Sequence, residues 1–194
     1  MTLNNTKQRI LQTASELFAS QGYDVLSMRD IAKACNLKAP SLYNHFKDKQ
    51  AIYHACLHFV FQERGTKLTA CLKTPEPAKQ KLNQFIELAC EQVASNAIFR
   101  QLFLRELLVQ EEDRMKFMVE EVMDETCNAL HDVFIEIDQD CDPHFLTTSL
   151  IALLFFHFQI NPLRPLLPGS REETQELSYL TEGIKKNINQ YFIH

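Results

Sequence analysis

The sequence predicts an all-α protein of about nine helices, with a small N-terminal helix-turn-helix domain and a larger helical body. Three observations carry that expectation. Apolar residues recur at the helical period of 3.6 in nearly every segment, and no segment shows the period-two alternation of a half-buried strand. The breaks between these segments hold Gly, Pro, Asn or Asp, the residues that stop helices and open turns. The 194 residues are 45% hydrophobic and 23% charged, a composition that supports a packed core and excludes collagen-like, disordered and disulfide-scaffold classes.

The first helix is expected from about Lys7 to Gln21, with Ile10, Ala14, Leu17 and Phe18 as its apolar stripe. Gly22 follows, where a helix commonly ends in the left-handed conformation. Ser27-Met28-Arg29-Asp30 fits a capping box, in which the serine caps a helix and the aspartate reaches back to it. That second helix is short, from Met28 to Cys35, with Asn36 as its stop. Pro40 suits the first turn of a third helix, about Ala39 to Phe46, because its missing N–H would be unpaired there in any case. Asp48 caps a fourth helix, from Lys49 to about Leu72.

Lys73-Thr74-Pro75-Glu76-Pro77 is the clearest break in the chain. Further helices are expected near 77–95, 97–109, 111–138, 143–160 and 172–192. Asp138 to Pro143 and Asn161 to Pro165 mark the last two breaks. The domain division that follows is 4–64 for the head, with the helix-turn-helix at 27–46, and 65–194 for the body. Charge divides along the chain in the same sense. Residues 1–50 hold seven Lys or Arg against four Asp or Glu, while the remainder holds 13 against 21. A basic head on an acidic body suits an anionic partner for the head.

The two short helices, 28–35 and 39–46, have helix-turn-helix proportions. Leu42 and Phe46, four apart, point to the core and leave Lys38, Ala39, Pro40, Tyr43 and Asn44 on the other face. Small residues at the start of that third helix let it approach base edges in a major groove. Tyr43 and His45 can hydrogen-bond phosphates, and Lys49 adds charge beside the free N–H groups of a helix start. A core-forming helical hairpin that touches nothing would also place Leu42 and Phe46 as they stand.

Residues 9–53 resemble the DNA-binding domain of TetR-type transcriptional regulators. The resemblance rests on Arg9-Ile10-Leu11, Glu16-Leu17-Phe18, Gly22-Tyr23, Ser27-Met28-Arg29-Asp30-Ile31-Ala32 and the run Ser41-Leu42-Tyr43-Asn44-His45-Phe46-Lys47-Asp48-Lys49. It covers about a quarter of the chain. It implies an all-helical homodimer in which three helices bind DNA, a fourth leads to a ligand-binding body, and the last two helices form the dimer interface. By position, the resemblance sets Ser27 and Arg29 on phosphates, Lys38, Ala39, Pro40 and Asn44 toward bases, and Tyr43, His45 and Lys49 on the backbone. The family often has a serine or threonine cap where this chain has Lys38.

Twelve of the fourteen phenylalanines lie after residue 50. Phe85, Phe99, Phe103, Leu107, Met115, Met118 and Val122 fall on the central helices, and aromatic walls with flexible methionines suit a pocket for a small, largely apolar effector. Ordinary core packing accounts for the same residues. Leu150, Leu154 and Phe158 belong to a helix apolar on nearly every side, and Leu177, Leu180, Ile184 and Ile188 give the last helix one stripe. Together they suit an isologous homodimer interface, with a buried central helix of a monomer as the alternative.

Other functions find less support. The four glycines, at 22, 65, 169 and 183, are too scattered for a dinucleotide fingerprint or a P-loop. No Ser–His–Asp or Cys–His arrangement is visible, so no catalytic residue and no cofactor is expected. His54 and His58 lie one turn apart with Cys56 between them, and Asp124, Cys127 and His131 share a helix face. Neither set offers more than three candidates, so no metal is expected. The six cysteines are scattered and read as reduced thiols. The N-terminus lacks an apolar signal core, and the apolar run from Leu150 to Ile160 is about half of the roughly 20 residues a membrane span needs, so a cytoplasmic protein away from membranes is expected. The leading expectation is a ligand-responsive regulator, most simply a repressor, that binds a palindromic double-stranded DNA operator. The same head controlled by a protein partner or by cysteine redox chemistry is the second class, and a helical enzyme or binding module is the third.

Overall fold

The structure is a computed structural model that describes residues 2–193, with the side chains of residues 2–5 and 63 outside the description. Among the described residues ten α-helices account for most of the regular structure: α1 (Thr2–Gln21), α2 (Met28–Ala34), α3 (Ala39–Tyr43), α4 (Lys49–Leu72), α5 (Ala78–Ser95), α6 (Ala97–Val109), α7 (Glu112–Phe117), α8 (Asp124–Ile137), α9 (Pro143–Gln159) and α10 (Leu177–Gln190). There is no strand among them.

The expected punctuation marks are where the chain turns. Gly22 ends α1 at φ +91°, its N–H bonded to Phe18 O at 2.9 Å. Asn36 takes φ +55° after α2, with Leu37 N on Ala32 O at 2.8 Å and Asn36 N on Lys33 O at 3.1 Å. That pair of bonds is a Schellman ending, and it makes the tight turn into α3. Asp48 accepts from Ala51 N at 2.7 Å and opens α4.

Besides an earlier start of α1, at Thr2 and not Lys7, and an earlier end of α3, at Tyr43 and not Phe46, two segments depart further from expectation. The single helix expected over 111–138 is α7, a π-helical turn at Met118–Met123, and α8. A π turn takes in an extra residue and rotates the face that follows, and the chain passes here from one compact unit to another. The last helix begins at Leu177, not 172. A 3-10 turn at Glu172–Gln175 precedes it, and Glu176 is extended at ψ 145°.

The chain forms two compact units. The first comprises residues 1–63 and 98–122, the second 64–97 and 123–194. In the first, Ile10, Ala14, Phe18, Ile31, Leu42, Ile52 and Leu57 are buried, so the three-helix head closes on the first half of α4. Aromatic rings extend this core: Phe18 meets Tyr53 edge-on at 4.8 Å, and Phe61 meets Phe99 at 4.6 Å. In the second unit α5 packs on α8, α9 and α10, α8 on α9, and α9 on α10. Its core is mostly aliphatic, including Leu82, Ile86, Leu130, Val133, Leu150 and Ile184, with Phe134 fully enclosed. Among the described residues no helix is long and apolar enough to cross a membrane.

Candidate nucleic-acid interface

The capping box at the start of α2 forms as the sequence requires. Ser27 is extended, its hydroxyl accepts from Asp30 N at 3.2 Å, and its own N–H donates to Asp30 Oδ2 at 2.9 Å. The same hydroxyl donates to that carboxylate. These bonds to Ser27 hold the Asp30 carboxyl below its ordinary range, so the turn keeps its charge and its geometry. Met28, Ile31 and Ala32 are buried, and Arg29 stands exposed beside the free N–H groups of the helix start.

Helix α3 is short because it begins with Ala39-Pro40 and loosens after Tyr43. Turn bonds carry it on to Phe46, with His45 N and Phe46 N both on Leu42 O at 3.0 Å. Leu42 and Phe46 are buried as expected. Lys38, at the N-cap, makes no side-chain cap and is exposed, as are Pro40 and Asn44, while Ala39 and His45 are half-buried. Tyr43 is 51% exposed, a large aromatic that the fold leaves outside its core. The expected face of this helix is therefore open, with small residues at its start and hydrogen-bonding groups along it. Such a surface can enter a major groove without first shedding protein contacts.

Lys49 is more constrained than the sequence suggests. Its ammonium donates to Tyr23 O at 2.9 Å and lies 4.2 Å from the centre of the Tyr23 ring. It is half-buried at the start of α4, and the ammonium's remaining hydrogens are available to an anion.

Sequence reasoning missed the groups beneath it. Tyr53 donates its hydroxyl to Glu106 Oε1, and Arg114 Nε donates to Glu106 Oε2 at 2.9 Å. Burial, then the bond to Glu106, pushes the Tyr53 phenol far above its ordinary range, so it stays a donor. Arg114 lies over the Tyr23 ring at 4.6 Å. Arg105 donates Nε to Ala19 O at 2.6 Å and Nη2 to Ser20 O, capping the end of α1. The one available signal was the Arg105-Glu106 pair inside an apolar helix.

The residues singled out for a pocket divide between the units. Phe99, Phe103 and Met118 are buried and Met115 and Val122 half-buried in the first, while Phe85 is buried in the second. Leu107 is 39% exposed, because α6 turns Phe99, Leu102, Phe103 and Glu106 inward and leaves Leu107 outside. On α9 and α10 the unit's own core takes Leu150, Leu154, Leu180, Ile184 and Ile188. Phe158 is half-buried and Leu177 exposed. Most of the expected interface stripe packs within its own unit, while Phe145 and Phe156 on α9 and Leu177 and Tyr179 on α10 are exposed. His54 and His58 face the Phe117 ring, and among the described residues no three His, Cys, Asp or Glu side chains converge as a metal would require.

A capped helix-turn-helix with one exposed face, on an all-helical chain, is an arrangement that DNA-binding proteins use. Residues 10–56 match the model of a family described as bacterial regulatory proteins, tetR family. The HTH-type transcriptional regulator YerO of Bacillus subtilis is 28% identical over 166 residues, 82% of this chain and 56% of YerO. IcaR of Staphylococcus aureus, the HTH-type negative transcriptional regulator of a biofilm operon, is 42% identical over 55 residues, 28% of this chain and 30% of IcaR. The matches thus span about half or less of the length of these relatives. Among solved structures, FadR of Bacillus subtilis in complex with stearoyl-CoA superposes with a TM-score of 0.76 at 17% identity, covering 96% of this chain and 98% of FadR. The N-terminal part of the chain is thus similar to the tetR family of bacterial regulatory proteins, and the whole chain shares the fold of the FadR structure.

Proposed function

We propose that this protein is a ligand-responsive repressor that binds a palindromic DNA operator as a homodimer and is released by a small, largely apolar effector. The open face of α3 carries the reading. Lys38, Pro40, Tyr43 and Asn44 stand outside the core, while Leu42 and Phe46 hold the helix to it. Two such helices, one from each copy, would read half-sites about 34–36 Å apart. Repression is the sense in which IcaR is named, and it suits a soluble regulator acting in the cytoplasm, where the DNA lies.

Support for the dimer comes from α9 and α10. Phe156 is 61% exposed, and Tyr179 and Gly183 border an open groove of about 870 Å³. Gly183 sits inside α10, where glycine costs helix stability, yet a Cβ there would meet nothing within 4 Å. A close approach by another copy gives that glycine a purpose. Support for the effector comes from FadR's stearoyl-CoA, which makes acyl thioesters of CoA the first class to test. Control by cysteine oxidation is disfavoured. Burial pushes all six thiols up, Cys56 to about 12, and the reactive thiolate is scarce at such sites.

The test is selection of bound sequences from random duplex DNA near physiological salt, followed by addition of acyl-CoAs of graded chain length. The expected result is a palindromic site, lost on adding one length class. No enrichment, with or without acyl-CoA, would overturn the reading.

A further inference from the structure

On the DNA-binding reading Lys49 is one of the cations, with Arg29, that meet the DNA backbone, and its place is set from outside the head's four helices. Tyr23 supplies both its seats: the carbonyl oxygen at 2.9 Å and the ring at 4.2 Å. That ring carries a second cation, since Arg114 Cζ is 4.6 Å from its centre. Two positive groups on one ring repel each other, and the arrangement stands only if one is neutralised nearby. Glu106 does this. It is 2% exposed, its two oxygens are taken by Arg114 Nε and the Tyr53 hydroxyl, and Arg114 is itself buried. Glu111 adds a weaker interaction at 3.8 Å to Arg114 Nη1.

The chain just before Tyr23 is clamped as well. Arg105 caps α1 through Ala19 O and Ser20 O, and a Cβ on Gly22 would come within 3.1 Å of Arg105 Nη1. Glycine suits this position twice over, taking φ +91° without strain and leaving the guanidinium its room. Residues of α6 and α7 therefore hold the chain just before Tyr23 and the Tyr23 ring itself.

We propose that Glu106 and Arg114 are positioning residues for DNA binding: their buried pair fixes the Tyr23 ring, and the ring fixes the Lys49 ammonium at the start of α4. The inference rests on the DNA-binding reading above. Without the carboxylate, Arg114 is a buried charge lacking its partner and leaves for solvent. Tyr23 then loses one of its two cations and the packing beneath it, and Lys49 loses a defined position from which to meet a phosphate. The device also explains why α6 and α7 belong to the head's compact unit.

The test uses the full chain and a duplex that the parent protein has selected from a random pool. Glu106→Gln is expected to weaken binding about tenfold while the protein stays helical and folded at the assay temperature. The plot of log K against log salt should become shallower by about 0.9 for each phosphate that the variant no longer neutralises. In a Lys49→Gln background the same substitution should change affinity less than twofold, because the ammonium it positions is already absent. If Glu106→Gln does not fold, Tyr53→Phe removes only the hydroxyl given to Glu106 and should shift affinity and slope the same way by less. Parent-like affinity and slope in the variant that folds would overturn the inference alone, as would an equal loss with and without Lys49. A parent that enriches no duplex would overturn the DNA-binding reading and this inference with it.

Discussion

The two compact units place their ion pairs in opposite ways. In the first, Glu106 and Arg114 form an ion pair whose side chains are only 2% and 7% exposed, enclosed by two tyrosine rings. In the second, Lys81 reaches Glu136 at 2.6 Å, and the carboxylate end of the pair remains 53% exposed. Lys185 likewise meets Glu87 and Glu182 at the rim. Rim pairs let a long side chain cover apolar surface while its charge stays wet. An enclosed pair costs desolvation that its attraction barely offsets, so what it contributes is orientation. The head's unit is thus built to hold particular side chains in place, and the body's unit to close a core of aliphatic helices.

The sharpest way to break this comparison is to remove the cation from each pair. Arg114→Met leaves Glu106 buried without a partner and should cost about 3–5 kcal/mol. Lys81→Met leaves Glu136 hydrated and keeps an apolar stem in place, so the loss should stay within about 1 kcal/mol. Urea unfolding of the two variants measures both. Equal losses would mean that enclosure makes no difference between the units.

A surface substitution separates function from stability. Tyr43 is exposed and outside the core, so Tyr43→Ala should change unfolding by no more than about 0.5 kcal/mol. Its affinity for the selected duplex should fall about tenfold, equivalent to about 1.4 kcal/mol. Parent-like DNA binding would remove α3 from the interface.

Helix caps give a finer comparison, because both units have side-chain caps of the same kind. Ser27 accepts from Asp30 N at 3.2 Å, and Asp142 accepts from Phe145 N at 2.9 Å. Ser27→Ala and Asp142→Ala should each cost about 1 kcal/mol. Only Ser27→Ala should also weaken DNA binding, since α2 presents Arg29 from its first turn. A matching loss of DNA binding in Asp142→Ala would show that the caps act through general stability.

What the sequence made legible was local. The Ser27–Asp30 box, Gly22, Asn36, Pro40 and Asp48 act on neighbours within a turn, so their residue types alone place α1 to α4. The same holds for Asp142-Pro143 at the head of α9. The clamp was illegible because its partners are distant: Tyr53 and Glu106 lie 53 residues apart, Arg105 and Ala19 86. Periodicity shows that a helix has an apolar face but not which neighbour takes it. Hence the stripe of Leu180, Ile184 and Ile188 suits a second copy and the unit's own core equally, and only the structure shows α5 and α9 packed on α10. The π turn at Met118–Met123 has no composition of its own. It reflects a change of packing partner, which local pattern does not record.

The smallest expected effect concerns pH, and each unit again has one group. His54 lies flat on the Phe117 ring at 3.7 Å, and its Nε2 is buried without a hydrogen-bond partner among the described residues. Burial first, then His58 and Arg114, hold its imidazole below the ordinary range, against an upward push from Asp48 and Glu111. In the second unit burial, then Arg164, lowers His157. A depressed histidine binds its proton more readily in the unfolded chain, so stability rises with pH through this window. The contribution is complete above about 6.5, the unfolded value, and is lost as pH falls through the folded value. The parent should therefore melt at a lower temperature at pH 5.5 than at pH 7.5. His54→Gln and His157→Gln should each narrow that gap, and both together should narrow it further, because the two groups sit in separate units and act independently. A gap unchanged in the double variant would take the acid sensitivity away from these two histidines.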